Sequence, residues 1–236
     1  MVREVLLETD EHEPRIIQKV RGNWLTRKPR KNSFFVAALS TMLLAIGAFF
    51  FWSDFLHAGS WMTGIRENVF SSYEFWRPWT ALLAHGDLGH LLSNSVLFFA
   101  FAYLLYGHFG AWAFPGAALF FGGITNLVVL RAMPPSAELL GISGVVYWMG
   151  GAWLTLYFYL ENRDKLAVRM LKAMGVGIVL FIPETIRPNV SYFSHFVGFV
   201  LGIFWAALYY RLHRKQFQRA VVVQTIIEEP VPFDYE

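Results

Sequence analysis

The sequence predicts an all-α polytopic membrane protein: a bundle of six transmembrane helices with both termini cytoplasmic. Three observations predict it. Of its 236 residues, 56% are hydrophobic, 18% aromatic and only 16% charged, a balance outside that of soluble domains. Six apolar stretches follow one another, and a hydrocarbon core of about 30 Å needs roughly 20 helical residues. Lys and Arg are unequally shared between alternate loops, as the positive-inside rule requires.

Residues 1–33 are polar and end in a basic run of Arg27, Lys28, Arg30 and Lys31, so they read as a cytoplasmic flank too short for a domain. Phe34 to Leu56 is the first span. It is long enough to cross and lies far from the start, which argues for a retained helix rather than a cleaved signal peptide. From Asp54 to Thr80 runs an amphiphilic loop carrying Trp61, Tyr73, Phe75, Trp76 and Trp79 among Arg66, Glu67, Glu74 and Arg77. Aromatic rings with one polar end favour the headgroup layer, so this loop is expected in the membrane interface.

The second span is read from about Leu88 to Tyr106, the third from Ala111 to Leu130 and the fourth from Ser143 to Leu160. A weaker fifth, Leu166 to Ile182, carries Arg169 and Lys172 near its start, whose long side chains can reach back to the interface. The sixth runs from Tyr192 to Tyr210. Residues 34–211 thus form one six-span domain, and residues 212–236 a cytoplasmic tail with no readable role. Sixteen of the twenty Lys and Arg residues fall on the side of the two flanks and of the loop after span four, against Arg66, Arg77, Arg131 and Arg187 on the other. That asymmetry sets the flanks inside.

This topology starts spans two, four and six at the outer face, where the rare polar residues gather: His85, His90 and Asn94, then Ser143, then His195. His90 and Asn94 are four apart and share a helix face. Ser143, Tyr147, Gly150 and Gly151 form a stripe on span four, and His195, Gly198 and Gly202 one on span six. Small residues at such spacing let membrane helices approach closely, which would bring Ser143 to His195. Singly, Ser143 and the glycines read as packing residues, His85 as an interfacial histidine and Tyr147 as a packed aromatic. Jointly they are harder to explain by packing, because polar groups inside a membrane are costly unless they face a cavity or a partner.

The chemistry that fits is nucleophilic acyl transfer. A serine hydroxyl is a weak nucleophile until a base takes its proton, and His195 is the histidine on the facing stripe. No Asp or Glu lies inside spans four or six, so a dyad is expected rather than a triad. Asn94, His90 and backbone N–H groups at the start of span four are the donors at hand for an oxyanion. The absence of cysteine excludes a disulfide framework or thiolate metal site, and a net charge of +3 is too small to suggest a nucleic-acid partner.

At these residues the sequence resembles the rhomboid family of intramembrane serine proteases. The resemblance rests on Gly141-Ile142-Ser143-Gly144 with Tyr147, on the spacing of His85, His90 and Asn94, on His195, Gly198 and Gly202, and on Trp76-Arg77 in the long loop. It implies a rhomboid-like six-helix core with a water-filled cavity open to the outer side. Ser143 would be the nucleophile, His195 the base stacked on Tyr147, and Asn94, His90 and the Ser143 amide the oxyanion site; His85, Gly198 and Gly202 would support it. It further implies transmembrane protein substrates entering laterally past the fifth span and the loop before the sixth. Trp76 and Arg77 would fix the interfacial loop, and no cofactor or metal would be needed. A multi-pass protein of the bacterial inner membrane is the expected setting. Two other readings compete. One is an inactive rhomboid-like protein that binds membrane helices, although such relatives generally lack the serine or histidine. The other is a metal site of His85, Asp87, His90 and His195, which has neither a His-Glu-x-x-His pattern nor a carboxylate pair within a span.

Overall fold

The computed structural model describes residues 15–181 and 191–228. In chain order the elements are β1 (Arg15–Gly22), α1 (Ser33–Trp52), α2 (Ala58–Trp61), β2 (Gly64–Ile65), α3 (Arg66–Phe70), α4 (Arg77–Thr80) and α5 (Leu88–Phe109). A π-helical turn (Trp112–Ala117) leads into α6 (Ala118–Ala132), followed by β3 (Glu138–Leu139), α7 (Ser143–Leu160), α8 (Leu166–Phe181), α9 (Tyr192–Gln218) and β4 (Val222–Glu228). The end of the fifth apolar stretch at Ile182, the loop with Arg187 and the last eight residues lie outside the described residues.

Four helices among the described residues are long and apolar enough to cross a membrane: Ser33–Trp52, Leu88–Phe109, Trp112–Ala132 and Tyr192–Gln218. Their outward faces are apolar. Phe34, Phe35, Phe49, Leu92, Val96, Phe196 and Phe204 are all exposed, an arrangement that water would penalise and lipid would solvate. The fourth and fifth apolar stretches form α7 and α8 but fall outside this set. In α7 the reason is its place: eleven of its eighteen residues are buried among other helices, so glycine, tyrosine and tryptophan replace the aliphatic residues that a lipid-facing helix needs. The described part of α8 is sixteen residues long and packs chiefly on α7.

α7 is the axis of the bundle. It packs most closely on α9 and also meets α5 and α6, while α1 covers α5. Trp148, Met149, Ala152 and Leu156 carry its buried face into the core with Leu105, Phe114 and Ala206. Within the stretch 54–80, read from the sequence as an amphiphilic interfacial loop, the structure builds α2, β2, α3 and α4. Arg77 is buried there and explains the compactness: its guanidinium donates to the carbonyls of Thr63 (3.0 Å) and Ser60 (2.7 Å) and pairs with Glu74. Trp79 lies flat on Gly123 of α6, where any Cβ would fall 2.0 Å from the indole.

The flanks hold a structure that their composition did not suggest. β1 pairs antiparallel with β4, with Ile16 opposite Ile227, Lys19 opposite Gln224 and Val20 opposite Val223. The β-branched residues concentrated in Ile16 to Val20 and Val222 to Ile227 are the local signal for it. Asn23 then caps a 3-10 turn at Trp24–Thr26 and donates from Nδ2 to Glu161 Oε1 (3.0 Å) just beyond α7, and Trp24 Nε1 donates to the His108 carbonyl (2.9 Å) at the end of α5. The described parts of the two flanks and the C-terminal ends of α5 and α7 therefore share one end of the bundle.

Candidate active site

At the opposite end, the N-termini of α5, α7 and α9 converge. Each helix is started differently. Asp87 caps α5, accepting from the His90 amide at 2.8 Å, and Ser191 caps α9, accepting from the Ser194 amide at 3.3 Å. α7 begins behind Ile142, which supplies no side-chain cap. The first amides of a helix have no intrahelical acceptor and carry the positive end of its dipole, so α7 presents donors beside Ser143 that no capping side chain consumes. Ser143 is its first residue and is half-buried, whereas His195, in the first turn of α9, is 3% exposed.

α7 and α9 touch backbone to backbone. A Cβ on Gly198 would lie 2.2 Å from the Gly144 carbonyl oxygen, one on Gly202 2.1 Å from that of Trp148, and one on Gly151 2.4 Å from that of Phe199. Glycine is therefore required at the crossing, as the stripe on span six predicts. On α7 the contact is displaced by one residue from the predicted stripe: Gly144, Trp148 and Gly151 face α9 directly, and Ser143 and Tyr147 flank the seam. Gly150 is buried beside it. The Tyr147 ring stacks on His195 with centroids 4.0 Å apart and planes 8° apart. Tyr192, one turn before the histidine, meets it edge-on at 6.4 Å.

The strand pair β2–β3, matching Gly64 with Leu139 and Ile65 with Glu138, pins the segment that leads into α7. The Gly141 amide then donates to the Ala81 carbonyl at 2.9 Å. Gly141 has φ +103°, a conformation that glycine adopts without strain, and its Cα faces the His90 ring so closely that a Cβ would sit 2.7 Å from Cε1. The His90 imidazole is thus held two residues ahead of Ser143. One turn along α5, Asn94 is buried and donates from Nδ2 to the His90 carbonyl at 3.1 Å. That bond uses one of its two amide hydrogens and leaves the other for a second acceptor. His85 is fully buried behind His90, with ring centroids 5.1 Å apart, and its carbonyl accepts from Trp52 Nε1 at 2.6 Å.

The structure therefore gathers the predicted set at one end of three helices: Ser143 and Tyr147 on α7, His195, Gly198 and Gly202 on α9, His90 and Asn94 on α5, and His85 behind them. Three roles escaped the sequence reading, which took Gly144 only as part of the serine motif, Asp87 only as a possible metal ligand, and did not single out Ser194. Gly144 gives its carbonyl face to Gly198, Ser194 lies against Gly144, and Asp87 starts α5. Asp87 had a legible signal, an aspartate just before an apolar helix; Gly144 and Ser194 are revealed only by the helix crossing. Among the described residues no three His, Asp or Glu side chains gather to hold a metal ion.

A family model, the Rhomboid domain, matches residues 72–212, from just before Trp76-Arg77 to the polar end of α9. A search of curated proteins finds no match for the chain. With more than half of the sequence matched, and with apolar helices that can cross a membrane around this cluster, the chain belongs to the rhomboid family and is an integral membrane protein.

Proposed function

We propose that the protein is an intramembrane serine endopeptidase that hydrolyses peptide bonds in or near the transmembrane segments of membrane proteins through a Ser143–His195 dyad. The observation that carries this reading is the Tyr147–His195 stack beside the glycine-tight α7–α9 seam, which fixes an imidazole next to the helix that begins with Ser143. Rhomboid proteins are in general serine intramembrane proteases, and none of the residues on which the likeness rests is replaced here.

In the proposed reaction the Ser143 hydroxyl passes its proton to His195 as its oxygen attacks the scissile carbonyl carbon. The negative charge that develops on the carbonyl oxygen meets the first amides of α7, the second Asn94 N–H and the His90 ring, beside three converging helix N-termini. Collapse breaks the C–N bond, and the imidazolium returns the proton to the departing amine. Water, deprotonated by the same imidazole, then attacks the acyl carbon, the bond from that carbon to Ser143 Oγ breaks, and the imidazolium returns the proton to Oγ as the acid leaves. Tyr147 limits rotation of the imidazole, a role that a carboxylate fills in a triad.

Six spans complete the reading. The pairing of β1 with β4, which brings the two flanks together, supports an even number of crossings. α7 and α8 added to the four apolar helices would give six, and the excess of Lys and Arg on the flank side supports both termini in the cytoplasm of a bacterial inner membrane. Residues 34–211 then form the protease domain between two cytoplasmic flanks. The slight attachment of α8, whose Leu171, Met174 and Ile178 are exposed, supports lateral entry of substrate helices on that side. A fluorophosphonate probe tests the nucleophile: labelling should be lost in Ser143→Ala, and labelling retained by that variant would sink the assignment.

A further inference from the structure

We propose that the flank end of the protein carries a binding site for the phosphate-bearing headgroup of an anionic lipid, formed by the Trp24–Arg27 turn and the last two turns of α9. A cavity of about 420 Å³ opens there, lined by Trp24 and Arg27 on one side and by Leu212, His213, Lys215 and Arg219 on the other. Among the described residues no carboxylate lines it. The ion pairs among the described residues are His57–Asp54, Arg77–Glu74, Arg163–Glu161 and Lys172–Asp164, so none of them offsets Arg27, Lys215 or Arg219. The C-terminal end of α9 opposes an anion with roughly half a negative charge. Three full positive charges exceed it.

The walls are fixed before any ligand arrives. Trp24 is held by its bond to the His108 carbonyl (2.9 Å) and by edge-on contact with Phe217 (5.1 Å), and the Arg27 guanidinium lies 4.5 Å from the indole centroid. His213 is tied through Nδ1 to the Tyr209 carbonyl at 2.9 Å. Guanidinium groups present paired N–H donors that match phosphate oxygens.

A lipid, rather than a free phosphate, is indicated by what leads into the cavity. Phe204, Leu208 and Leu212 recur every fourth residue along α9 and are 68%, 58% and 72% exposed. This apolar stripe descends a membrane-crossing helix and ends at the cavity rim, so an acyl chain can lie along it while the phosphate reaches the three cations. Basic pockets at the ends of membrane helices recognise anionic headgroups by this division of labour.

The test uses the purified full chain in neutral detergent, with binding read by native mass spectrometry against phosphatidylglycerol, phosphatidylcholine and inorganic phosphate. Phosphatidylglycerol should bind in preference to phosphatidylcholine. Each basic side chain near an anionic headgroup contributes a factor of about five, so Arg27→Gln/Lys215→Gln/Arg219→Gln should weaken phosphatidylglycerol on the order of 100-fold. The single variant Lys215→Gln, with a loss of about five-fold, serves if the triple variant does not fold. Leu212→Gln keeps every charge and should weaken the lipid while leaving inorganic phosphate unchanged. Equal binding of the two lipids, or undiminished phosphatidylglycerol binding by the charge variants, would overturn the site. Displacement of the lipid by an equal concentration of inorganic phosphate would overturn the lipid as its occupant.

Discussion

Gly198→Ala adds one methyl group where α9 crosses α7. The new Cβ would lie 2.2 Å from the Gly144 carbonyl oxygen, whereas ordinary contact begins at 3.4 Å. The obstacle is backbone and cannot turn aside, so the helices must separate by about 1 Å locally, and overpacking of this kind typically costs about 1–3 kcal/mol. For a chain of this size that lowers Tm on the order of 5 °C. The rate should suffer more than the stability. Tyr147 and His195 sit on opposite sides of the widened seam, and a misplacement of about 1 Å at a reacting centre costs on the order of 100-fold. The assay pairs a thermal melt in detergent with the rate of fluorophosphonate labelling, using Gly175→Ala as the control: a Cβ there meets nothing within 4 Å. Alanine at 175 should leave both readings at or above wild type, because it favours a helix interior over glycine. If the 198 and 175 variants behave alike, the close crossing does not hold the site together.

Further outcomes follow from the same geometry. Tyr147→Phe keeps the stack on His195 and should retain most activity, whereas Tyr147→Ala should lower kcat by about 2- to 12-fold, the worth of an aromatic pair of about 0.5–1.5 kcal/mol; equal loss in both would assign the effect to the hydroxyl instead. Asn94→Ala should reduce kcat by about 100- to 1,000-fold with little change in KM, as for a donor engaged mainly in the transition state, and a pure KM effect in steady-state cleavage assays would remove it from the oxyanion site. At the flank end, burial opposes the charged form of Glu161, but hydrogen bonds and attraction from Arg163 outweigh it and hold its pKa below the usual glutamate value. A lowered folded pKa gives stability that is complete above the unfolded value, about 4.3, and is lost as pH falls through the folded one. Melts below about pH 4 should therefore steepen in wild type and not in Glu161→Gln; parallel curves would mean that the carboxylate contributes nothing.

The sequence made the polar residues of the site legible because a membrane leaves few places for them. His90, Asn94, Ser143 and His195 stand out at the starts of apolar runs, and the four-residue spacing from Ser143 to Tyr147 fixes their common helix side. The register of the crossing was not legible. Stripes through residues 143 and 144 are equally rich in small residues, and only the approach of α9 reveals that Gly144, not Ser143, lies in the seam. α7, legible as the fourth apolar stretch, is less apolar than the other long helices for a related reason: a helix sheathed by its neighbours no longer needs the aliphatic surface of a lipid-facing span. The β1–β4 ribbon was hidden because strand pairing between residues two hundred positions apart leaves only a local concentration of β-branched residues in each strand. The hydrogen bond from Asn23 to Glu161 likewise depends on two loops that only the assembled bundle brings together.

Cleavage of a single-span membrane substrate by the purified protein in liposomes, with Ser143→Ala and His195→Ala measured alongside, tests the dyad most directly. Wild type should release two fragments cut in or near the transmembrane segment, and neither variant should cleave while both keep the wild-type melt. Undiminished cleavage by either variant would contradict the dyad, and stable substrate complexes without product from wild type under every condition would mark a protein that binds membrane helices without cutting them.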